Sequence, residues 1–151
     1  MKRILVILLA VLLIAAPAFA AEKGTAKEAQ AMVKKAIAFW KANGQDKAWA
    51  EFNNPNGQFI DKDLYVYVAD INQKAKIMAH GANKALIGKE LVALKDKNGK
   101  QFMKELIDAA RVKGSGWEEY FWTNPVSKKV EHKSLYYERY DHYAVCCGIY
   151  K

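Results

Sequence analysis

Apolar and polar positions follow two different periods along this chain. From Ala29 through Met32, Val33, Ala36 and Ile37 to Trp40, apolar residues recur at helical spacing, while Lys27, Lys34, Lys35 and Lys41 occupy the other side. Thr25, with Glu28 three residues on, has the pattern of a capping box, and Asn43-Gly44 stops the helix. Asp46 begins a shorter helix that carries Ala48, Trp49 and Phe52 and ends at Asn53-Asn54-Pro55-Asn56-Gly57. Trp40 and Trp49 read as core anchors packed against a sheet.

The period then changes to two. In Leu64 to Asp70, Leu64, Val66 and Val68 face one way and Tyr65, Tyr67 and Ala69 the other, so both faces are apolar or aromatic. Ile71 to Lys74 turns the chain into Lys76 to Gly81, which predicts a hairpin. Asn83, Gly88-Lys89 and Leu91-Val92 read as a loop with at most a short helix, and loops of this length in a small domain are often functional. Lys95 to Gly99 forms a turn, and Phe102, Leu106, Ile107, Ala109 and Ala110 mark an amphipathic helix that Gly114 ends. Three strands follow, with Val130 to Tyr140 and Tyr143 to Tyr150 as the last two, separated by short turns that favour an antiparallel meander. The predicted architecture is α+β: an N-terminal helix on one face of a five-stranded antiparallel sheet, with loops on the other face.

The first strand of that meander lies in Gly114-Ser115-Gly116-Trp117-Glu118-Glu119-Tyr120-Phe121-Trp122-Thr123-Asn124-Pro125. Alternation sends Trp117, Glu119 and Phe121 to one face and Glu118, Tyr120 and Trp122 to the other. Aromatic side chains on both faces imply cover on both, and one covering layer can be a ligand. A central strand with a large core payload fits the pattern equally.

Composition narrows the setting. Lys2 and Arg3 precede an apolar run from Ile4 to Ala16, and Ala18-Phe19-Ala20 has the form of an export cleavage site. The run is shorter than the roughly 20 residues that span a bilayer. Residues 1–20 therefore read as a signal peptide cleaved after Ala20, giving a periplasmic or secreted product, with an uncleaved anchor as the lesser alternative. Residues 21–151 form one domain, its helical segment at 21–58 and its sheet and ligand-binding region at 59–151. Loss of Lys2 and Arg3 lowers the formal charge from +8 to +6. That excess forms no basic stripe, which speaks against nucleic acid and suits small carboxylates or an anionic membrane surface.

Cys146 and Cys147 are adjacent, and strand geometry opposes a bridge between neighbours, so at least one is expected to be a buried, unreactive thiol. His80, His132 and His142 are scattered, without metal-ligand spacing. No phosphate-binding glycine loop or other cofactor motif is present; the lone Gly114-Ser115-Gly116 is too weak, and Ser115 lacks a nucleophile elbow. Glu118, Glu119, Arg139 and Asp141 read as ion pairs or solvated edges. An enzyme is the least supported of the function classes.

A series of segments resembles the single Cache domains (Cache type 2), the extracytoplasmic sensing modules of chemoreceptors and sensor kinases. It comprises Asp63 to Asp70, Ala79-His80-Gly81-Ala82-Asn83, Leu86-Ile87-Gly88-Lys89, Lys95-Asp96 with Gly99-Lys100, Gly116-Trp117 with Tyr120, Trp122 and Asn124-Pro125, then Lys133, and Gly148-Ile149-Tyr150. The resemblance runs from about Phe59 to the C-terminus. It implies a PAS-like fold, with a long N-terminal helix packed on the five-stranded sheet and a pocket for small organic acids on the face away from that helix. Because the chain stops at Lys151, directly after the last strand, a stand-alone exported form is expected. Such a form would act with a separate partner such as a membrane sensor kinase, a chemoreceptor or a transporter.

The candidate ligand-binding residues are Tyr65, Tyr67, His80, Trp117, Tyr120, Trp122 and Lys133. Lys133 is the leading partner for an anion, although a strand lysine also reads as a solvated edge residue. His80, at a strand end, can donate a hydrogen bond, or a charge if a carboxylate raises its pKa. Tyr65 and Tyr67 share a face and offer phenol donors, as Tyr120 and Trp122 do from the third strand. Trp117 has the opposite parity unless a bulge at the glycines re-aims it. Gly148 would leave space on the sheet for a ligand to approach, and Asp96 with the Lys89 region would supply a lid. The expected function is sensing of a short organic acid such as acetate, propionate, pyruvate or lactate. The alternative is an exported accessory interaction protein with no small-molecule ligand.

Overall fold

The computed structural model describes residues 22–151, so the expected export segment and its cleavage site lie outside the described residues. Helix α1 spans Ala26–Asn43 and opens with the expected capping box: the Thr25 hydroxyl accepts from the Glu28 N–H, and the Glu28 carboxylate accepts from the Thr25 N–H at 2.7 Å. A hydrogen bond from Lys62, followed by those from Thr25, holds the Glu28 carboxyl down at about 2. Gly44, at φ 79°, turns the chain into α2, Gln45–Phe52.

The sheet contains β1 (Ile60–Asp61), β2 (Leu64–Asp70), β3 (Lys76–His80), β4 (Ser115–Thr123), β5 (Val130–Tyr140) and β6 (Tyr143–Tyr150), with α3 at Phe102–Lys113. All pairings are antiparallel, and the order across the sheet is β3-β2-β6-β5-β4. The two-residue β1 is a sixth strand beyond the five expected; it pairs with the start of β2 through Ile60–Tyr65 and Asp61–Leu64.

Two cores lie on opposite faces of this sheet. On one, α1 and α2 set Val33, Ile37, Trp40 and Phe52 against Leu64, Val66, Val68, Val145 and Cys147. On the other, α3 and the loop before it cover Tyr65, Tyr67, Leu135, Tyr137, Cys146 and Tyr150. The central strands β2 and β6 are thus buried on both faces, which explains their unbroken apolar and aromatic character. Alternation places Cys146 in one core and Cys147 in the other, so both are free. Burial pushes both thiols up, Cys147 to about 12.

The segment between β3 and α3 is held down at both ends. A short 3-10 turn at Lys84–Leu86 leads to the Gly88 N–H, which donates to the Ile77 carbonyl, while the Leu91 N–H donates to the Ala75 carbonyl. Further along, Asp96 accepts from the Phe121 N–H at 3.1 Å, and the Lys100 ammonium donates to the Glu119 carbonyl at 2.6 Å. Lys97 sits 3.8 Å from the Phe121 ring centroid. This strap fixes the lid to edge strand β4.

Candidate functional site

Beneath that lid, on the face opposite α1, lies a small cavity lined by Tyr65, Tyr67, Ile77, His80, Leu86, Leu91, Phe102, Met103, Tyr120 and Trp122. Five of the seven candidate residues therefore meet at one wall. The β2 alternation supplies Tyr65 and Tyr67, the end of β3 supplies His80, and β4 supplies Tyr120 and Trp122. Tyr120 stacks on Phe102 of α3 with ring centroids 4.0 Å apart, and His80 stacks on Tyr67 at 5.5 Å. The apolar lining from Ile77, Leu86, Leu91, Phe102 and Met103 is legible in the sequence only as core periodicity. Outside the lid an open hollow continues past Tyr65, His80 and Trp122 to Asn83, Thr123, Pro125 and Lys128.

Lys133 stands one layer behind this wall. It is fully buried, and its ammonium donates to the Tyr65 hydroxyl at 2.6 Å and the Tyr150 hydroxyl at 3.2 Å. The same nitrogen lies 4.2 Å from the Tyr65 ring centroid and 4.8 Å from that of Tyr150. Its hydrogen-bond partners among the described residues are thus phenol hydroxyls, with no carboxylate. A strand lysine usually reads as an edge residue, yet this one lies in the interior because β5 is flanked by β4 and β6.

Proton accounting shows where the free donors are. Tyr150 donates its hydroxyl proton to the Thr123 carbonyl at 3.0 Å. Tyr65 accepts from Lys133 and retains its own proton, whose nearest protein acceptor is the Tyr150 oxygen at 3.4 Å. Tyr65 is therefore a lysine-polarised donor on the cavity wall. Tyr150 itself lies outside the seven candidates; its parity with Gly148 and Cys146 is the sequence signal that places it on this face.

His80 is fixed in one tautomer. Its Nδ1 accepts from the Ala82 and Asn83 N–H groups at 3.3 and 2.9 Å, which leaves the proton on Nε2. Burial, and secondarily the charge of Lys133, depress its pKa to about 3, so the ring is a neutral donor. The charged form considered from the sequence is disfavoured because Nδ1 already serves two donors. Burial also holds the Tyr67 and Tyr120 phenols well above their ordinary value.

Two expectations are corrected. Trp117 lies on the α1 side of the sheet, packed on Tyr136 with ring centroids 5.1 Å apart, and does not reach the cavity. The β4–β5 register runs without a shift from Ser115–Glu138 to Thr123–Val130, so no bulge re-aims it. Gly148 does not open the sheet to a ligand, because the stem of Lys133 fills that space: a β-carbon there would overlap Lys133 Cε and lie 3.2 Å from Cγ.

Comparison with known proteins agrees with this geometry. The family model described as Single Cache domain 2 matches residues 1–150. A methyl-accepting chemotaxis protein from Vibrio parahaemolyticus RIMD 2210633 is 26% identical with a TM-score of 0.67, over 82% of this chain and 86% of that one. A periplasmic sensor domain of a chemotaxis protein is 25% identical with a TM-score of 0.62, over 82% and 88% of the two chains. A Cache chemosensory domain described for carboxylic acid recognition shares the fold, at 19% identity, a TM-score of 0.64 and coverage of 82% and 86%. No curated protein matches the chain. Homologous domains are periplasmic ligand-sensing modules, and this chain is a member of the single Cache domain 2 family.

Proposed function

We propose that the domain senses a short monocarboxylate, of the acetate, propionate, pyruvate or lactate type, and acts with a separate signalling or transport partner. The observation that carries this reading is Lys133: a fully buried ammonium whose protein partners are neutral, directly behind a hydroxyl-lined cavity. A buried charge without a counter-ion is costly, and a bound carboxylate supplies one. The free Tyr65 O–H and the His80 Nε2–H are suited to its two oxygens. Lys133 is the one buried cation among the described residues, which favours a monoanion, since a second carboxylate would enter an apolar lining of Ile77, Leu86, Leu91 and Phe102. The same fold serves carboxylic acid recognition in the chemosensory domain noted above.

Calorimetric titration of the purified domain with C2–C4 acids tests the reading. Ligand at a hundred times its dissociation constant should stabilise the fold by about 2.7 kcal/mol. Tyr65→Phe should weaken binding about tenfold through the lost donor, equivalent to about 1.4 kcal/mol. Absence of binding by every acid tested would overturn the proposal.

A further inference from the structure

We infer that Gly148 is the positioning residue of the site: its missing side chain is what allows Lys133 to reach Tyr65. The binding arm of this inference rests on the proposed carboxylate site, and the other arms do not.

Lys133 belongs to β5 and Tyr65 to β2, with β6 between them. Adjacent strands are about 4.8 Å apart, so these two lie roughly two spacings, or 9–10 Å, from each other. On the cavity face, Gly148 pairs with Leu135, and the register one step beyond Val66–Cys147 sets it beside Tyr65. The lysine stem crosses β6 at that point. A β-carbon on residue 148 would overlap Lys133 Cε and press on Leu135 Cδ1 at 3.1 Å. Real β-carbons do not approach neighbours as closely as that first contact, so the stem would have to lift away from the sheet. The ammonium at the end of that stem would then be displaced from the Tyr65 and Tyr150 hydroxyls.

The backbone offers no competing reason for glycine here. Gly148 is absent from the positive-φ residues, which include Gly44, Gly88, Gly99 and Gly114. It sits in regular strand geometry inside β6, where a glycine ordinarily weakens a strand and marks a close approach. The approaching group is Lys133 itself.

Three measurements on Gly148→Ala test the inference. Propionate affinity should fall at least tenfold. The Lys133 ε-methylene resonance, displaced by the Tyr65 and Tyr150 rings in the parent protein, should move toward the value of a free lysine. A thermal double-mutant cycle with Lys133→Ala keeps the question decidable if Gly148→Ala alone folds poorly. Gly148→Ala should lower Tm in the parent background and leave it unchanged or raise it when Lys133 is already alanine. Equal Tm losses in both backgrounds, or a single variant with parental affinity and resonance, would overturn the inference. If the parent protein binds no acid, the proposed function fails, and the resonance and the cycle still decide the role of Gly148.

Discussion

Lys133 Nζ lies 2.6 Å from the Tyr65 hydroxyl, so a buried cation rests on the oxygen of a neutral phenol. The contact gives the ammonium partial solvation without cancelling its charge. Lys133→Met keeps most of the stem and removes that charge. It should abolish any acid-induced rise in Tm while leaving the ligand-free domain as stable as the parent, or more stable by about 1–4 kcal/mol. Scanning calorimetry with and without propionate reads both effects.

His80 makes stability fall as the medium acidifies. In the unfolded chain the ring takes a proton below its ordinary value of 6.5, whereas the buried ring in the fold resists protonation until about 3. Within that window the unfolded state binds more protons, so stability declines with falling pH by up to about 1.4 kcal/mol per unit. Between pH 8 and pH 5 the loss from this residue should be about 2 kcal/mol. His80→Gln should flatten the profile over that range, as measured by denaturant melts; an unchanged slope would exclude the residue as its source.

Asp63 ties the start of α1 to the turn between β4 and β5. It is buried, accepting from the Gly24 N–H at 2.7 Å and from Asn124 Nδ2 at 3.3 Å. Asp63→Ala strands two donors and should lower unfolding free energy by about 2–3 kcal/mol in urea titrations. Asp63→Asn retains an acceptor and should lose less.

Trp117 offers the converse test. Packed on Tyr136 across the sheet from the cavity, it has no route to the ligand. Trp117→Ala should leave acid affinity within about twofold of the parent, with a stability loss near 1 kcal/mol. A tenfold loss of affinity would show that the two faces communicate.

Helices and strands were legible wherever local chemistry decides them. Thr25 and Glu28 mark a helix start through bonds made three residues apart, and the faces of Leu64 to Asp70 follow from alternation alone. Alternation likewise groups Tyr65 with Tyr67 and Tyr120 with Trp122, which is why four of the ten lining residues were foreseeable from it.

Lys133 and Gly148 show where local reading stops. Whether a strand lysine is solvated or buried depends on which strands flank it, and that follows from the order β2-β6-β5 rather than from neighbouring residues. The space at Gly148 was visible, but its occupant comes from another strand. Residues 83–94 resisted assignment for a related reason. Their hydrogen bonds are split between short local turns, such as Leu86 N–H to the Asn83 carbonyl, and bonds out to Ile77, Ala75 and Lys74, so no single period marks them.

The strap from Asp96 to Lys100 also bears on how copies of this domain meet. An edge strand exposes backbone groups that invite another strand to add to the sheet. On β4 the Phe121 N–H and the Glu119 carbonyl are already taken by side chains of the strap, and Lys97 covers the Phe121 ring. A residue pair that fastens a lid thereby also blunts the sheet against sideways growth, and self-association along that edge would first require the lid to detach.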